Sequence, residues 1–160
     1  MNWQQLIAVA RMLASAPEYG ERRGRPQQMQ LRKAISAAYY AMFHALAGSN
    51  ADTLIGASSQ FRRLPAWTVS YRALDHGFAR SRMQSGLHTF ASPIQNFGRA
   101  FVDLQNWRHR ADYDPNAELI RPDAVSLIDR AEAAIIGFEA VDATERKSFA
   151  AHVLFRVRTP

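Results

Sequence analysis

The run from Leu31 to Ala47 sets the tightest limit on what this chain can fold into. Leu31-Arg32-Lys33-Ala34-Ile35-Ser36-Ala37-Ala38-Tyr39-Tyr40-Ala41-Met42-Phe43-His44-Ala45-Leu46-Ala47 is rich in alanine, the strongest helix former, and is apolar almost all round after Lys33. A helix with no polar face needs neighbours on every side. Its alanines let those neighbours come close. The pattern predicts a central helix over 27–47, stopped by Gly48-Ser49-Asn50.

The rest of the chain supplies candidate neighbours, nearly all at helical period. Trp3, Leu6, Ile7, Ala10 and Leu13 make a stripe on a first helix over 2–15. Residues 17–26 hold two Pro, two Gly and several Arg, and read as a basic loop. A weaker helix over 58–83 is interrupted at Pro65, keeps a stripe of Trp67, Tyr71, Leu74 and Phe78, and breaks at Ser85-Gly86. Ser92-Pro93 reads as an N-cap followed by proline in the first turn. Ile94, Phe97, Phe101 and Leu104 then run down one face to an end near Arg110, bounded by Pro115. Pro122-Asp123 opens a further helix with Val125, Ile128, Ile135 and Phe138 inward.

Asp142-Ala143-Thr144-Glu145 has capping-box spacing for a short last helix to about Arg156. Val153, Phe155 and Val157 also alternate like a strand, but the cap at Asp142 favours helix. The fold class predicted is all-α: an antiparallel up-and-down bundle of four main helices with one or two short extra helices. It forms one domain over 1–160, with a core of about 25–140 and the helices at 2–15 and 143–156 as additions.

Composition removes several function classes. There is no cysteine, which excludes disulfide scaffolds, Cys-ligated metal sites and thiol catalysis. No pair of histidines stands at i, i+4 and no carboxylates cluster, so neither a metal nor a cofactor is expected. Phosphate-loop, dinucleotide and nucleophile-elbow motifs are missing. No run of about 18 apolar residues could span a membrane, and the start lacks the basic region of a secretory signal. No membrane association is therefore expected, and the expected address is cytoplasmic.

Charge points to a partner. The chain has 20 basic and 14 acidic residues, for a net charge of +6. Residues 1–110 carry 14 cations against 5 anions, while 111–160 carry 6 against 9. A basic body invites an anionic partner, nucleic acid first. The alternative is a set of scattered, solvated arginines.

Arg108 is the most informative single residue. It occupies the next slot on the stripe 94, 97, 101, 104, where the pattern calls for an apolar side chain. An unpaired buried guanidinium costs several kcal/mol, so Arg108 must face a carboxylate, an open cleft or a phosphate, or else reach water at a helix end. Around it, Trp107, His109, Arg110, Asp112 and Tyr113 mix cations, acids and rings. Arg and His beside aromatic rings suit a phosphodiester, and a helix C-terminus also attracts cations. On the central helix, His44, one turn after Tyr40, is either a hydrogen-bonded core histidine or part of a binding surface.

Two segments together resemble a known family. Ile35-Ser36-Ala37-Ala38-Tyr39-Tyr40-Ala41-Met42-Phe43-His44-Ala45 resembles the central-helix signature of HEPN domains (higher eukaryotes and prokaryotes nucleotide-binding). Arg108-His109-Arg110-Ala111-Asp112-Tyr113-Asp114 resembles the R-x-x-A-D-Y segment of one bacterial branch. The resemblance implies a helical bundle, usually a homodimer. It also implies one of two activities: a metal-independent ribonuclease toxin, or a noncatalytic RNA-binding or scaffolding member. A minimal nucleotidyltransferase is a frequent partner or antitoxin.

The ribonuclease members carry Arg, a polar residue, three variable residues and His. Arg108 and His109 match the first two positions, but Tyr113 stands where the His would be. A phenol holds its proton at neutral pH and is a poor general base. The looser Arg/His pairs Arg82/His88 and Arg146/His152 are no more than the roughly two expected by chance. The resemblance thus implies a noncatalytic or weakly active protein that binds RNA or a nucleotidyltransferase through Arg108, Arg110, Asp112, Tyr113, His44 and Tyr40. The alternatives are an endoribonuclease using Arg108 and His109, and a purely structural dimerisation bundle.

Overall fold

A computed structural model describes residues 2–15 and 25–156. Most of the basic loop over 17–26 lies outside the described residues, as do Val157 and Arg158. Among the described residues the protein is all-α. It has eight helices, α1 (Trp3–Ser15), α2 (Arg25–Leu54), α3 (Ser59–Arg62), α4 (Pro65–Arg72), α5 (His76–Gly86), α6 (Ser92–Tyr113), α7 (Arg121–Glu139) and α8 (Ala143–Leu154), with a 3-10 turn at Leu87–Thr89.

Helix α2 is central, as its apolar surface requires. It packs against α1, α4, α6, α7 and α8. Leu31, Ala34, Ile35, Ala38, Tyr39, Ala41, Met42 and Leu46 are all buried. The helix does not stop at Gly48-Ser49-Asn50. It continues to Leu54, because Asn50 and Ala51 are buried against the rest of the molecule. Tertiary packing there outweighs the weak helix propensity of Gly, Ser and Asn.

The segment 58–83 forms three pieces instead of one helix. Pro65 starts α4 in its first turn, and Asp75 starts α5 by accepting from the Phe78 amide at 2.7 Å. Helix α5 runs through Ser85 to Gly86. Helix α6 begins one residue earlier than its sequence signal, with Ala91 in the cap position, and ends later, at Tyr113. Helix α7 buries Leu127 and Ile128 but leaves Val125 exposed, against the expected inward set.

Asp142 caps α8 by accepting from the amides of Thr144 and Glu145. Glu145 does not complete a capping box. It accepts from the Ala91 amide at 2.7 Å instead and ties the start of α6 to α8.

One aromatic core joins these helices. Phe97 lies 4.6 Å from Phe138 and 6.2 Å from Phe101, centroid to centroid, and all three are fully buried. Phe138 meets Phe149 of α8 at 5.8 Å. Among the described residues no helix is long and apolar enough to cross a membrane.

Candidate nucleic-acid interface

The C-terminal turn of α6 is held in place by the first turns of α2. Arg32 donates to three backbone carbonyls, those of Ala111 (2.8 Å), Asp114 (2.7 Å) and Ala117 (2.8 Å). These carbonyls mark the helix end, where intrahelical donors run out, and a cation there also complements the helix dipole. Gln28 clasps Leu119 from both sides, donating to its carbonyl at 2.7 Å and accepting from its amide at 2.9 Å. Nothing in the spacing of Arg32 or Gln28 marked them for this work.

On that anchored turn, Arg108 proves to be both paired and placed at a cleft. Its Nε donates to Asp112 Oδ2 at 2.9 Å, and one terminal nitrogen donates to the Tyr40 hydroxyl at 3.1 Å. The other Asp112 oxygen accepts from Ser36 Oγ at 2.7 Å, with Lys33 Nζ 3.9 Å away. The guanidinium carbon sits 5.9, 5.4 and 5.7 Å from the rings of Tyr39, Tyr40 and Tyr113. Burial works against its charge, but Tyr40, Asp112 and Tyr113 outweigh that and the pKa is raised. The side chain remains 21% exposed, so it meets solvent from inside its cage.

That exposed edge opens on a groove of about 610 Å³ between α5 and α6. Arg108, His109, Arg110 and Tyr113 line it together, joined by Arg80 and Asn106, which sequence reasoning did not single out. His109 and Tyr113 meet edge to face at 4.9 Å, and Arg110 lies 5.4 Å from the Trp107 ring. Neither Arg80 nor Arg110 has a carboxylate partner among the described residues. Asp114, the one acid at the groove, accepts from the Asn116 amide at 2.9 Å.

The other candidates lie behind or beyond this surface. Asp112 is a support for Arg108, with both oxygens engaged inside the protein. Tyr40 contacts Arg108 but does not line the groove. His44 faces a different cavity of about 560 Å³, with Trp67 and Tyr71. Its Nδ1 pairs with the Tyr71 hydroxyl at 2.6 Å, and it stacks on Tyr71 (5.9 Å) and Tyr40 (6.2 Å).

His76, absent from the sequence reasoning, supports the site from below. Its Nδ1 pairs with the Tyr39 hydroxyl at 2.6 Å, and its ring stacks on Phe43 at 3.9 Å. Burial pulls the His76 imidazole below its ordinary value, the Arg108 charge adds to the fall, and Asp75 partly offsets it. Burial pushes the Tyr39 phenol up, with Arg108 opposing. Both groups are therefore neutral at neutral pH. Only a strong pattern of core-facing polar residues on two helices could have flagged this pair, and α5 is too polar to show one.

Among the described residues, no three His, Asp or Glu side chains converge as metal ligands. The groove offers fixed positive charge, an exposed imidazole at His109 and the ring of Tyr113, a combination suited to a phosphate backbone with unpaired bases. No family model, curated protein or solved structure matches the chain.

Proposed function

We propose that this protein is a HEPN-like helical bundle that binds single-stranded RNA in the α5–α6 groove without cleaving it. The observation that carries the reading is the convergence of Arg80, Arg108 and Arg110 with His109 and Tyr113 on one groove, where Arg80 and Arg110 have no carboxylate ion-pair partner among the described residues. Unneutralised cations beside an exposed ring fit phosphates and stacked bases.

The proposed architecture is an antiparallel up-and-down bundle of α1, α2, α6 and α7, with the shorter helices on its flank. Supporting pairs run in opposite order along neighbouring helices: Ser36 with Asp112 and Tyr40 with Arg108 between α2 and α6, and Asp103 with Arg130 and Phe97 with Phe138 between α6 and α7. Binding without cleavage follows from two features. Tyr113 occupies the position where the resemblance calls for histidine, and Arg108 already gives two donors to Asp112 and Tyr40.

The test is fluorescence anisotropy with labelled oligoadenylate across a salt series, the RNA being checked for cuts on a gel. The protein binds at low ionic strength, log K falls linearly with log salt, and the RNA stays intact. Replacing Arg80 and Arg110 by Ala lowers that slope by about 1.4, the value for two phosphate contacts to a single strand. No affinity at low salt overturns the reading. Cleavage that disappears in His109→Ala overturns its noncatalytic part.

A further inference from the structure

A second cavity adjoins the groove. It has a volume of about 430 Å³ and lies further along the same α5–α6 cleft, and Asn106 lines both spaces. Its walls differ in kind from those of the first. Met83 is buried and Leu87 and Val102 are half-buried, whereas His88, Arg99 and Asn106 are exposed. It therefore has an apolar floor and a polar, basic rim.

The facing rows explain why the two spaces lie end to end at Asn106. On α6, Gly98, Val102, Asn106 and Arg110 follow at i+4 intervals and form one line along the helix. Residues 80, 84 and 87, at i+4 and then i+3, do the same from α5 into the 3-10 turn. The helices run in opposite directions, since Gln105 donates to the His76 carbonyl at one end while Leu87 meets Gly98 at the other. Gly98 is what allows that close approach, because a Cβ there would stand 2.6 Å from Leu87 Cδ1.

Arginines recur along the whole trough, with Asp114 the acid at one end. Arg99 bonds only the neutral Gln95 at 2.9 Å, so like Arg80 and Arg110 it has no carboxylate partner among the described residues. Asp103, the acid beside the second cavity, is paired with Arg130. From Gly98 to Tyr113 the helix rises about 22 Å, the length of about six stacked nucleotides at about 3.4 Å each.

We infer that the second cavity is a base-accepting subsite for the same strand. The RNA runs along the α5–α6 trough from the arginine groove to the 3-10 turn. There Leu87 and Val102 take the face of an unpaired base, while His88 and Arg99 hold its flanking phosphates. This inference rests on the proposed RNA-binding reading and extends it from a phosphate site to a path of defined length.

Labelled oligoadenylates of three and eight nucleotides test it against wild type, the double variant His88→Ala/Arg99→Ala, and Arg80→Ala/Arg110→Ala. Wild type binds the octamer at least about tenfold more tightly than the trimer, and His88→Ala/Arg99→Ala removes that advantage. Arg80→Ala/Arg110→Ala weakens both lengths. Equal affinity for the two lengths in wild type, or an octamer advantage that survives in His88→Ala/Arg99→Ala, overturns the subsite and leaves the groove reading standing. If neither oligomer binds at low salt, the groove reading fails and takes the subsite with it.

Discussion

Arg108 and Asp112 form an i, i+4 ion pair on α6, Nε to Oδ2 at 2.9 Å, with side chains only 21% and 16% exposed. The pair explains how a cation can follow four apolar residues on a core-facing stripe. Tyr40 and Ser36, both from α2, complete its hydrogen bonds. The desolvation cost of each charge is thus offset by the other and by neutral partners.

Asp112→Ala leaves Arg108 without its counter-charge and Ser36 without its acceptor. The variant loses about 1–3 kcal/mol in urea unfolding. A double-mutant cycle with Arg108→Ala gives a nonzero coupling energy, since the residues touch. A cycle that sums to zero would show the pair to be energetically idle.

Arg32→Ala leaves three carbonyls, of Ala111 and Asp114 at the end of α6 and of Ala117 in the loop beyond, without their donor. A loss of about 2 kcal/mol in stability is expected, together with faster amide exchange over residues 113–120. Lysine at position 32 restores only part of this, because one ammonium lacks the fork that reaches all three oxygens. Unchanged exchange in Arg32→Ala would show that Gln28 alone holds the connection.

His44 and His76 both have pKa values lowered by burial in the folded state. The unfolded chain then binds more protons than the native one as pH falls below the ordinary imidazole value, about 6.5. Stability is complete above that value and is lost as pH falls through the window down to the depressed folded values. The groups facing His76 are Tyr39, Tyr40, Phe43 and, electrostatically, His44 of α2, Arg108 of α6 and Asp75 beside it. Urea midpoints at pH 7.5 and 5.5 check this. The midpoint drops at the lower pH, and by less in a His44→Gln/His76→Gln variant.

Phe97→Ala opens the centre of the aromatic core between Phe101 and Phe138. It costs about 3–5 kcal/mol, a large share of the about 5–15 kcal/mol by which an ordinary domain is stable. A thermal melt reads it directly. A shift of only a degree or two would mean that neighbouring rings collapse into the space.

Much of the fold was legible because local and global preferences agree. The run from Leu31 to Ala47 has no polar face, so its central burial is a direct consequence of composition. Pro65 breaks the 58–83 segment and Asp142 caps α8 as short-range chemistry requires, whereas the cap at Asp75 was not read from the sequence. Where the two levels conflict, tertiary contact wins. Gly48-Ser49-Asn50 stays helical because it is packed, and α6 runs three residues past Arg110 because Arg32 caps it from another helix.

The site divides along the same line. By itself the sequence determined that Arg108 needed either a partner or an opening to water, because the cost of burying a lone guanidinium is independent of where the chain goes. Only the tertiary structure decided that the partners are Asp112 and Tyr40, that Arg80 joins Arg110 across the groove, and that His44 faces another cavity. Those pairings join residues up to 68 positions apart. Sequence spacing reports neighbours one or two turns away on a single helix, whereas the groove is made by two helices meeting, and their meeting depends on the packing of the whole core.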